Sequence, residues 1–288
     1  VQAGGNNNTV IGHNAGTAIT TGDGNTAVGD LALDANTTSS DNVAIGRCAL
    51  TTNITGANNV AVGSYSLRDS TGSDNVAVGS GSALVNTSGE NNVAVGRQSL
   101  KCNTTASSNT AVGSSALCAN TTGDKNVAIG SCSLQSNTTA GENVAIGQQA
   151  LQCNVTGIHN TGIGAGALLK NTDCRNVAIG YHSLLCNTSG ESNTAIGYNS
   201  LDANTTADNN TAVGKDSLSA NTTGCFNTAL GTSTLLVNQT GICNVAIGTS
   251  ALRCNTASNN IAVGVQPLYY NTSGTNNTAL GTKALFCN

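Results

Sequence analysis

The sequence predicts an all-β fold, a β-solenoid (parallel β-helix or β-roll) of about 17 coils with 17 residues per coil. The main observation is a motif, Asn-(Thr/Val/Ile)-Ala-(Val/Ile/Leu)-Gly, that recurs along the whole chain. Thirteen of the sixteen steps between copies are 17 residues long and three are 16. Only 2% of the residues are aromatic, and Trp and Met are absent, which favours a narrow stacked core. The seventeen copies begin at Asn8, Asn25, Asn42, Asn59, Asn75, Asn92, Asn109, Asn126, Asn143, Asn160, Asn176, Asn193, Asn210, Asn227, Asn244, Asn260 and Asn277.

The domain prediction is a single repeat array over residues 1–288. The 17 copies start at Asn8, the last copy is truncated at Asn288, and residues 1–7 form the end of a preceding coil. One such unit cannot bury its own apolar side chains, so the copies must stack and each coil must close the core of the next. Positions in the repeat are numbered from its first Asn, with the consensus N-[TV]-A-[VI]-G-x-x-[AS]-L-x-x-N-T-[TS]-G-x-x.

Positions 2 to 5 of the repeat predict a strand followed by a sharp change of direction. Position 2 is β-branched and position 4 is Val, Ile or Leu in every copy, as is typical of strands. Position 5 is always Gly, which indicates a backbone conformation that other residues avoid. We expect positions 2 and 4 to face the core and the Ala of position 3 to point the other way. The Ala column is then either a second buried face or a seam on which parallel copies pack.

The rest of the repeat predicts a second apolar segment and a turn. Position 9 is Leu in fifteen copies and follows a small residue. The Gly-x-x-Ala-Leu segment fits either a second strand or a short helical turn, and we favour the second strand. The Asn-Thr-Thr-Gly that follows has turn chemistry, and the one-residue deletions of the three short coils must fall in turns.

The residues also suggest relatives. The segment Asn126, Val127, Ala128, Ile129 and Gly130, with its equivalents in the other copies, resembles the head repeats of trimeric autotransporter adhesins. The longer NTAVGxxALxxNTTG unit resembles repeats of phage and virus tail-fibre-like surface proteins. The resemblance covers nearly the whole chain and implies a β-roll or β-solenoid surface fibre, often trimeric, that serves in adhesion or as a stalk.

Eleven cysteines are distributed over several repeat positions, and none forms a C-x-x-C pair, so a zinc site is not expected. Neighbouring coils lie within the Cα separation that a disulfide bond requires. Cys102 with Cys118, and Cys225 with Cys243, are one coil apart at nearly matching positions. We therefore predict these two disulfide bonds, with small buried free thiols as the alternative. Disulfide bonds would favour an extracellular compartment.

Position 12 is Asn in fifteen copies, and twelve of these match the acceptor pattern for an N-linked sugar. Copies of one repeat are not independent observations, and Asn at position 1 recurs without being an acceptor. The Asn side chains therefore form either a structural ladder with a turn or, at some coils, a glycosylation site. The twelve candidate sites are Asn36, Asn53, Asn86, Asn103, Asn120, Asn137, Asn154, Asn187, Asn204, Asn221, Asn238 and Asn271.

Enzymatic and nucleic-acid functions find no support in the pattern. The histidines His13, His159 and His182 occupy different repeat positions, so we expect no catalytic residue, no metal site and no cofactor. Charged residues make up 8% of the chain and the net charge is −4, so we expect no nucleic-acid partner. No apolar run is long enough for a membrane helix, so we expect no membrane span.

The leading hypothesis is therefore a non-enzymatic, extracellular structural fibre or stalk on a cell or virion surface, with adhesion as an added role. The repeat runs without a capping sequence at either end, which favours self-association end to end. A lateral homo-oligomer such as a trimer is the other arrangement, and surface glycans are candidate partners. The alternative function is a glycan-binding or ice-binding solenoid module, because a flat face with a regular Thr column could match a repeating ligand.

Overall fold

A computed structural model describes residues 5–288, so most of the predicted preceding coil, residues 1–4, lies outside the described residues. The chain divides into two compact units, one ending at Asn143 and one spanning Val144–Asn288. The fold is the predicted β-solenoid, with one parallel strand of three residues in each coil. No helix occurs among the described residues, and nothing there could span a bilayer as a long apolar helix.

The first unit contains eight strands and the second unit nine. Those of the first unit are β1 (Thr9–Ile11), β2 (Thr26–Val28), β3 (Val43–Ile45), β4 (Val60–Val62), β5 (Val76–Val78), β6 (Val93–Val95), β7 (Thr110–Val112) and β8 (Val127–Ile129). Those of the second unit are β9 (Val144–Ile146), β10 (Thr161–Ile163), β11 (Val177–Ile179), β12 (Thr194–Ile196), β13 (Thr211–Val213), β14 (Thr228–Leu230), β15 (Val245–Ile247), β16 (Ile261–Val263) and β17 (Thr278–Leu280).

Within each unit, successive strands pair in parallel and in the register that the repeat predicts. In β6 and β7, for example, Val93 pairs with Thr110 and Ala94 with Ala111. The same register holds across the 16-residue step between β4 and β5, where Val60 pairs with Val76. Within each unit, position 3 therefore lies over position 3 of the next coil.

The predicted orientation of the strand side chains is wrong. The Ala at position 3 is the buried residue, and positions 2 and 4 face outward. The reason is the narrow interior, which Leu at position 9 already fills. At Gly162, which replaces the usual Ala, an added Cβ would lie 3.4 Å from Cγ of Leu151, so a single methyl group occupies this space. Burial of each Leu contributes about 1.5–3 kcal/mol.

The predicted second strand is also wrong, and the alternative of a helical turn is not observed either. Positions 7 and 9 have left-handed backbone conformations, as in Tyr65 (φ 61°) and Leu67 (φ 46°). The backbone amides of both residues form hydrogen bonds between coils. Tyr65 N–H donates to the carbonyl oxygen of Arg47 in the preceding coil (2.9 Å), and Leu67 N–H donates to that of Ser82 in the following coil (3.0 Å). Irregular backbone is thus hydrogen-bonded from coil to coil as a strand would be.

The glycine at position 5 is required for two reasons. Gly113 has φ +135°, and a Cβ there would lie 2.5 Å from the carbonyl oxygen of Gly130 in the next coil. A side chain would therefore be strained by its backbone and would overlap the neighbouring coil. This confirms the interpretation of the invariant glycine.

The short coils lose one residue in the turn after position 12, as predicted. In a full coil, Nδ2 of Asn120 donates to the carbonyl oxygen of Gly123, three residues on. In a 16-residue coil, Nδ2 of Asn171 donates to the carbonyl oxygen of Asp173, two residues on. The amide group of Asn255 closes the turn of a second short coil in the same way, whereas the third short coil has Ser70 at position 12.

Candidate interaction surface

The strands of each unit present a flat outer face, here called the sheet face, made of the side chains at positions 2 and 4. In the first unit, Ile45, Val78 and Ile129 at position 4 are 37–39% exposed. In the second unit, Ile179 and Ile196 are equally exposed at 37%. The other position 4 side chains between β1 and β17 are partly exposed, so the whole column reaches solvent, and an apolar column of this kind indicates an interaction surface.

The sheet face carries no charge in any of the seventeen copies. Position 2 is Thr in eight copies, Val in eight and Ile in one, and position 4 is Val, Ile or Leu throughout. The rows are about 4.8 Å apart, which is the spacing of paired strands. Covering this face would therefore desolvate methyl groups and threonine hydroxyls but no charged group.

Asparagines at position 1 form a buried ladder below the sheet face. Oδ1 of Asn109 accepts the backbone N–H of Asn126 at 2.9 Å, and Oδ1 of Asn126 accepts that of Asn143 at 3.0 Å. Nδ2 of Asn126 donates to the carbonyl oxygen of Ala140 at 2.9 Å. These asparagines are structural, as the repeat predicts.

Asparagines at position 12 form a second ladder. Nδ2 of Asn120 donates to Oδ1 of Asn103 and to the carbonyl oxygen of Gly123, both at 3.0 Å, and Oδ1 of Asn120 accepts from Asn137 at 2.9 Å. The twelve predicted glycosylation sites are all fully buried. In Asn120 both hydrogens of the amide have acceptors, whereas a linked sugar would replace one of them. Glycosylation stays a prediction that the folded coil opposes.

The cysteines predicted to pair do lie on adjacent coils. Cys102 N–H donates to the carbonyl oxygen of Cys118 at 3.0 Å, and Cys243 N–H to that of Cys225 at 3.1 Å. All eleven cysteines are nevertheless free thiols, so the structure contains neither predicted disulfide bond. The Cys225 sulfur instead accepts the N–H of Asp208 at 3.3 Å. The disulfide bonds remain predictions for oxidising conditions.

Burial or a neighbouring side chain shifts the pKa of a few titratable groups. Burial raises the pKa of Asp202, whose Oδ1 has no hydrogen-bond partner. Burial also raises the pKa of the Cys118 thiol, and neighbouring Cys102 adds to this. A hydrogen bond with Asp173 raises the pKa of Glu191 on the surface. These shifts reflect burial and single neighbours, and they do not define a shared reaction centre.

Two of the histidines each contact one neighbouring side chain. His13 Nδ1 lies 3.0 Å from Oδ1 of Asp30, and His182 stacks on Tyr181. Across residues 5–288 no group of three His, Cys, Asp or Glu side chains is placed to hold a metal ion.

Sequence reasoning missed the sheet face because it assigned the larger apolar residues to the core. The difference between repeat positions 2 and 3 in the residue types they accept indicates which of them is buried. Position 3 is Ala in fifteen copies, whereas position 2 exchanges freely between Thr and Val. Exchange of a hydroxyl for a methyl group is tolerated on a surface and is costly in a core.

No protein-family model, curated protein or solved structure matches this chain.

Proposed function

We propose that this chain is a non-enzymatic structural protein that forms an extracellular fibre or stalk by self-association. The observation that carries the proposal is the sheet face, an uncharged and regularly spaced apolar surface that repeats without interruption in each unit. Copies can pack such faces against each other, since stacked sheets sit about 10 Å apart with their side chains interdigitated. A lengthwise offset between packed copies leaves part of each face free for a further copy, so the association can continue into a fibre.

The internal structure of the coils supports a load-bearing role. Within each unit, interior coils are bonded to their neighbours by backbone hydrogen bonds, such as those of Tyr65 and Leu67. Two buried asparagine ladders add to these bonds, with Ser70 in place of one asparagine. Buried amides that are fully hydrogen-bonded hold a fixed arrangement, because loosening them would leave polar groups unsatisfied. A stack of this kind is suited to a stiff extracellular element, on a cell or a virion surface, more than to a moving part.

The test compares the assembly state of the purified chain with that of two single-residue variants. Electron microscopy and sedimentation velocity are expected to show filaments or lateral bundles for the wild type. Ile129→Lys places a charge on the sheet face and should shift sedimentation toward that of a single chain.

The matched control is Ser108→Lys at exposed position 17, where the next coil already has Lys125. This control should assemble like the wild type. Short monodisperse particles of the wild type, or equal effects of the two lysines, would contradict the proposal.

A second candidate function, ice binding, is favoured by one observation. Position 2 lies on the outward face, and eight copies there are Thr, as in Thr110 and Thr194. Regularly spaced threonines on a flat face can match a repeating lattice. Val replaces Thr in eight other copies, so the fibre proposal is preferred. Thermal hysteresis of the wild type at about 1 mM protein would reverse that preference, and its absence would remove this candidate.

A further inference from the structure

A groove of about 350 Å³ lies on the surface of the coils that contain β4, β5 and β6, away from the sheet face. Its volume is within the range of small-ligand sites. Its walls come from positions 6, 7 and 10 of three successive coils, namely Tyr65, Arg68, Ser80, Gly81, Leu84, Arg97, Gln98 and Lys101.

The groove contains a slot between two side chains at position 7. In three successive coils this position is Tyr65, Gly81 and Gln98. A Cβ added at Gly81 would meet nothing closer than Cγ of Gln98 at 3.9 Å, so the level between Tyr65 and Gln98 is open. Two coil steps span about 9.6 Å. That distance accommodates one flat ring in van der Waals contact on both sides, at about 3.5–4.0 Å each.

A glycine at position 7 does not by itself produce such a slot. Gly166 in the second unit occupies the same repeat position. There an added Cβ would lie 2.7 Å from Cδ2 of His182, which stacks on Tyr181 with ring centroids 3.7 Å apart. The neighbouring side chain closes the space beside Gly166, whereas Gln98 leaves the space beside Gly81 open.

One face of the Tyr65 ring is already covered. The guanidinium carbon of Arg47, from the preceding coil, lies 4.5 Å from the ring centroid. Tyr65 also lines the groove, and Gly81, at the same repeat position of the following coil, has no side chain. In the second unit, rings on successive coils do stack on each other, since the ring centroids of Tyr181 and Tyr198 are 5.5 Å apart.

The groove is positively charged. Arg68 is paired with Asp69 through two contacts of 2.8 and 2.6 Å. Arg97 and Lys101 have no carboxylate within ion-pair distance among the described residues. Three cations and one carboxylate give the groove a charge of +2, in a chain whose net charge is −4. An anionic ligand would therefore find two cations that are not already neutralised.

We propose that this groove binds an acidic sugar ring, one that carries a carboxylate or a sulfate group. The apolar face of the ring would stack on Tyr65 at the level of Gly81, and the Gln98 amide would contact its other face. The anionic group would lie toward Arg97 and Lys101, because an arginine binds carboxylate or sulfate oxygens through paired N–H groups. This is a ligand site that the proposed structural role does not require, and it would allow a fibre to adhere to an acidic polysaccharide.

The test is isothermal titration calorimetry of the full chain with four probes: oligogalacturonate, sulfated dextran, neutral dextran and free sulfate. The two acidic probes should bind and the neutral one should not. Gly81→Gln fills the slot with a residue that position 7 already holds in the next coil, and it should weaken binding at least about tenfold. Arg97→Gln should weaken binding of both acidic probes and reduce its dependence on salt.

The control variant is Ser250→Gln, which makes the same side chain at position 7 of a coil in the second unit and should bind within about twofold of the wild type. Hydrogen exchange on each variant establishes that the coils remain folded. The proposal is overturned if the wild type binds no acidic probe at about 1 mM, or if Gly81→Gln binds like the wild type. Free sulfate binding as tightly as sulfated dextran would also overturn it, because the sugar ring would then contribute nothing.

Discussion

Substitution of Asn120 by Ala tests whether the buried asparagine ladder stabilises the coils. The change removes three hydrogen bonds: those donated to Asn103 Oδ1 and to the Gly123 carbonyl oxygen, and the one accepted from Asn137. Asn137 keeps its bond to the Ala140 carbonyl oxygen. Asn103 Oδ1 loses its donor in a region closed to solvent, whereas the Gly123 carbonyl oxygen keeps Nδ2 of Asn126 as a donor at 3.3 Å.

The expected cost follows from the one buried acceptor, Asn103 Oδ1, that is left without a donor. A buried polar group left without a partner costs about 1–3 kcal/mol, so the variant should lose about that much local stability. In a stack of repeats the loss is concentrated in the mutated coil and its neighbours, because each coil contacts only the next ones. A free energy of unfolding measured for the whole chain would therefore understate this local loss of stability.

Hydrogen exchange with mass spectrometry is therefore the appropriate assay, on protein produced without glycosylation. A loss of 2 kcal/mol corresponds to about 30-fold faster exchange at amides such as those of Thr121 and Val127. The control is Thr139→Ala at an exposed turn position, which should change exchange by less than about threefold. If Asn120→Ala exchanges no faster than this control, the ladder does not stabilise the stack and the reasoning is refuted.

Four further predictions concern single residues. Gly113→Ala should lower the unfolding free energy by about 3 kcal/mol or more, seen as a lower urea midpoint, because the methyl group would overlap the next coil; an unchanged midpoint would contradict the geometry. Ser115→Gly should raise the midpoint by an amount equivalent to about 0.5–1 kcal/mol, since φ there is +56°. The raised pKa of Asp202 means that its contribution to stability is present below its unfolded pKa of about 3.9 and is lost as the pH rises through the higher folded pKa. Asp202→Asn should therefore raise the melting temperature at pH 7 more than at pH 3, and an equal gain at both would argue against a buried carboxylate. Iodoacetamide should alkylate Cys118 more slowly than exposed Cys153 near pH 8, as peptide masses would show, because the raised pKa and burial both reduce the available thiolate.

Much of the fold could be predicted because the same residue pattern recurs in all seventeen copies of the repeat. The period gave the stacking and the register, and the invariant glycine marked a backbone conformation that Gly113 indeed has. The position 1 ladder was predicted because Asn126 and its equivalents recur without any acceptor pattern for a sugar. The one-residue deletions were placed in turns, where Asn171 accommodates them.

Alternation along a strand could not show which side faces inward. It groups Val127 with Ile129 and separates them from Ala128, but either group could line the core. The width of the interior decides, and that width depends on Leu134 entering from position 9 with a left-handed backbone, φ +47°. A leucine in this conformation is rare enough that local preference gives no indication of it.

The sheet face and the slot beside Gly81 could not be predicted from the sequence for related reasons. The sheet face depends on the inward choice of Ala128, and it follows only once that choice is known. The slot beside Gly81 depends on what the neighbouring coil places at position 7, where Gln98 leaves room and His182 does not. Such differences between nearly identical repeats are settled by contacts between coils and not by the motif.

The turn after position 12 has a consequence for how this molecule can change in length during evolution. Whole coils can be gained or lost by duplication or deletion, because each new coil meets the same two neighbours and needs no new contact. Each such event alters the length by about 4.8 Å, one strand spacing, and leaves the cross-section unchanged. Deletion of a single residue is tolerated at the turn that Asn171 closes. Deletion of a residue within the strand would instead turn the strand side chains that follow it to the opposite face. The length of the stack can therefore evolve in discrete steps, while the sheet face keeps its spacing.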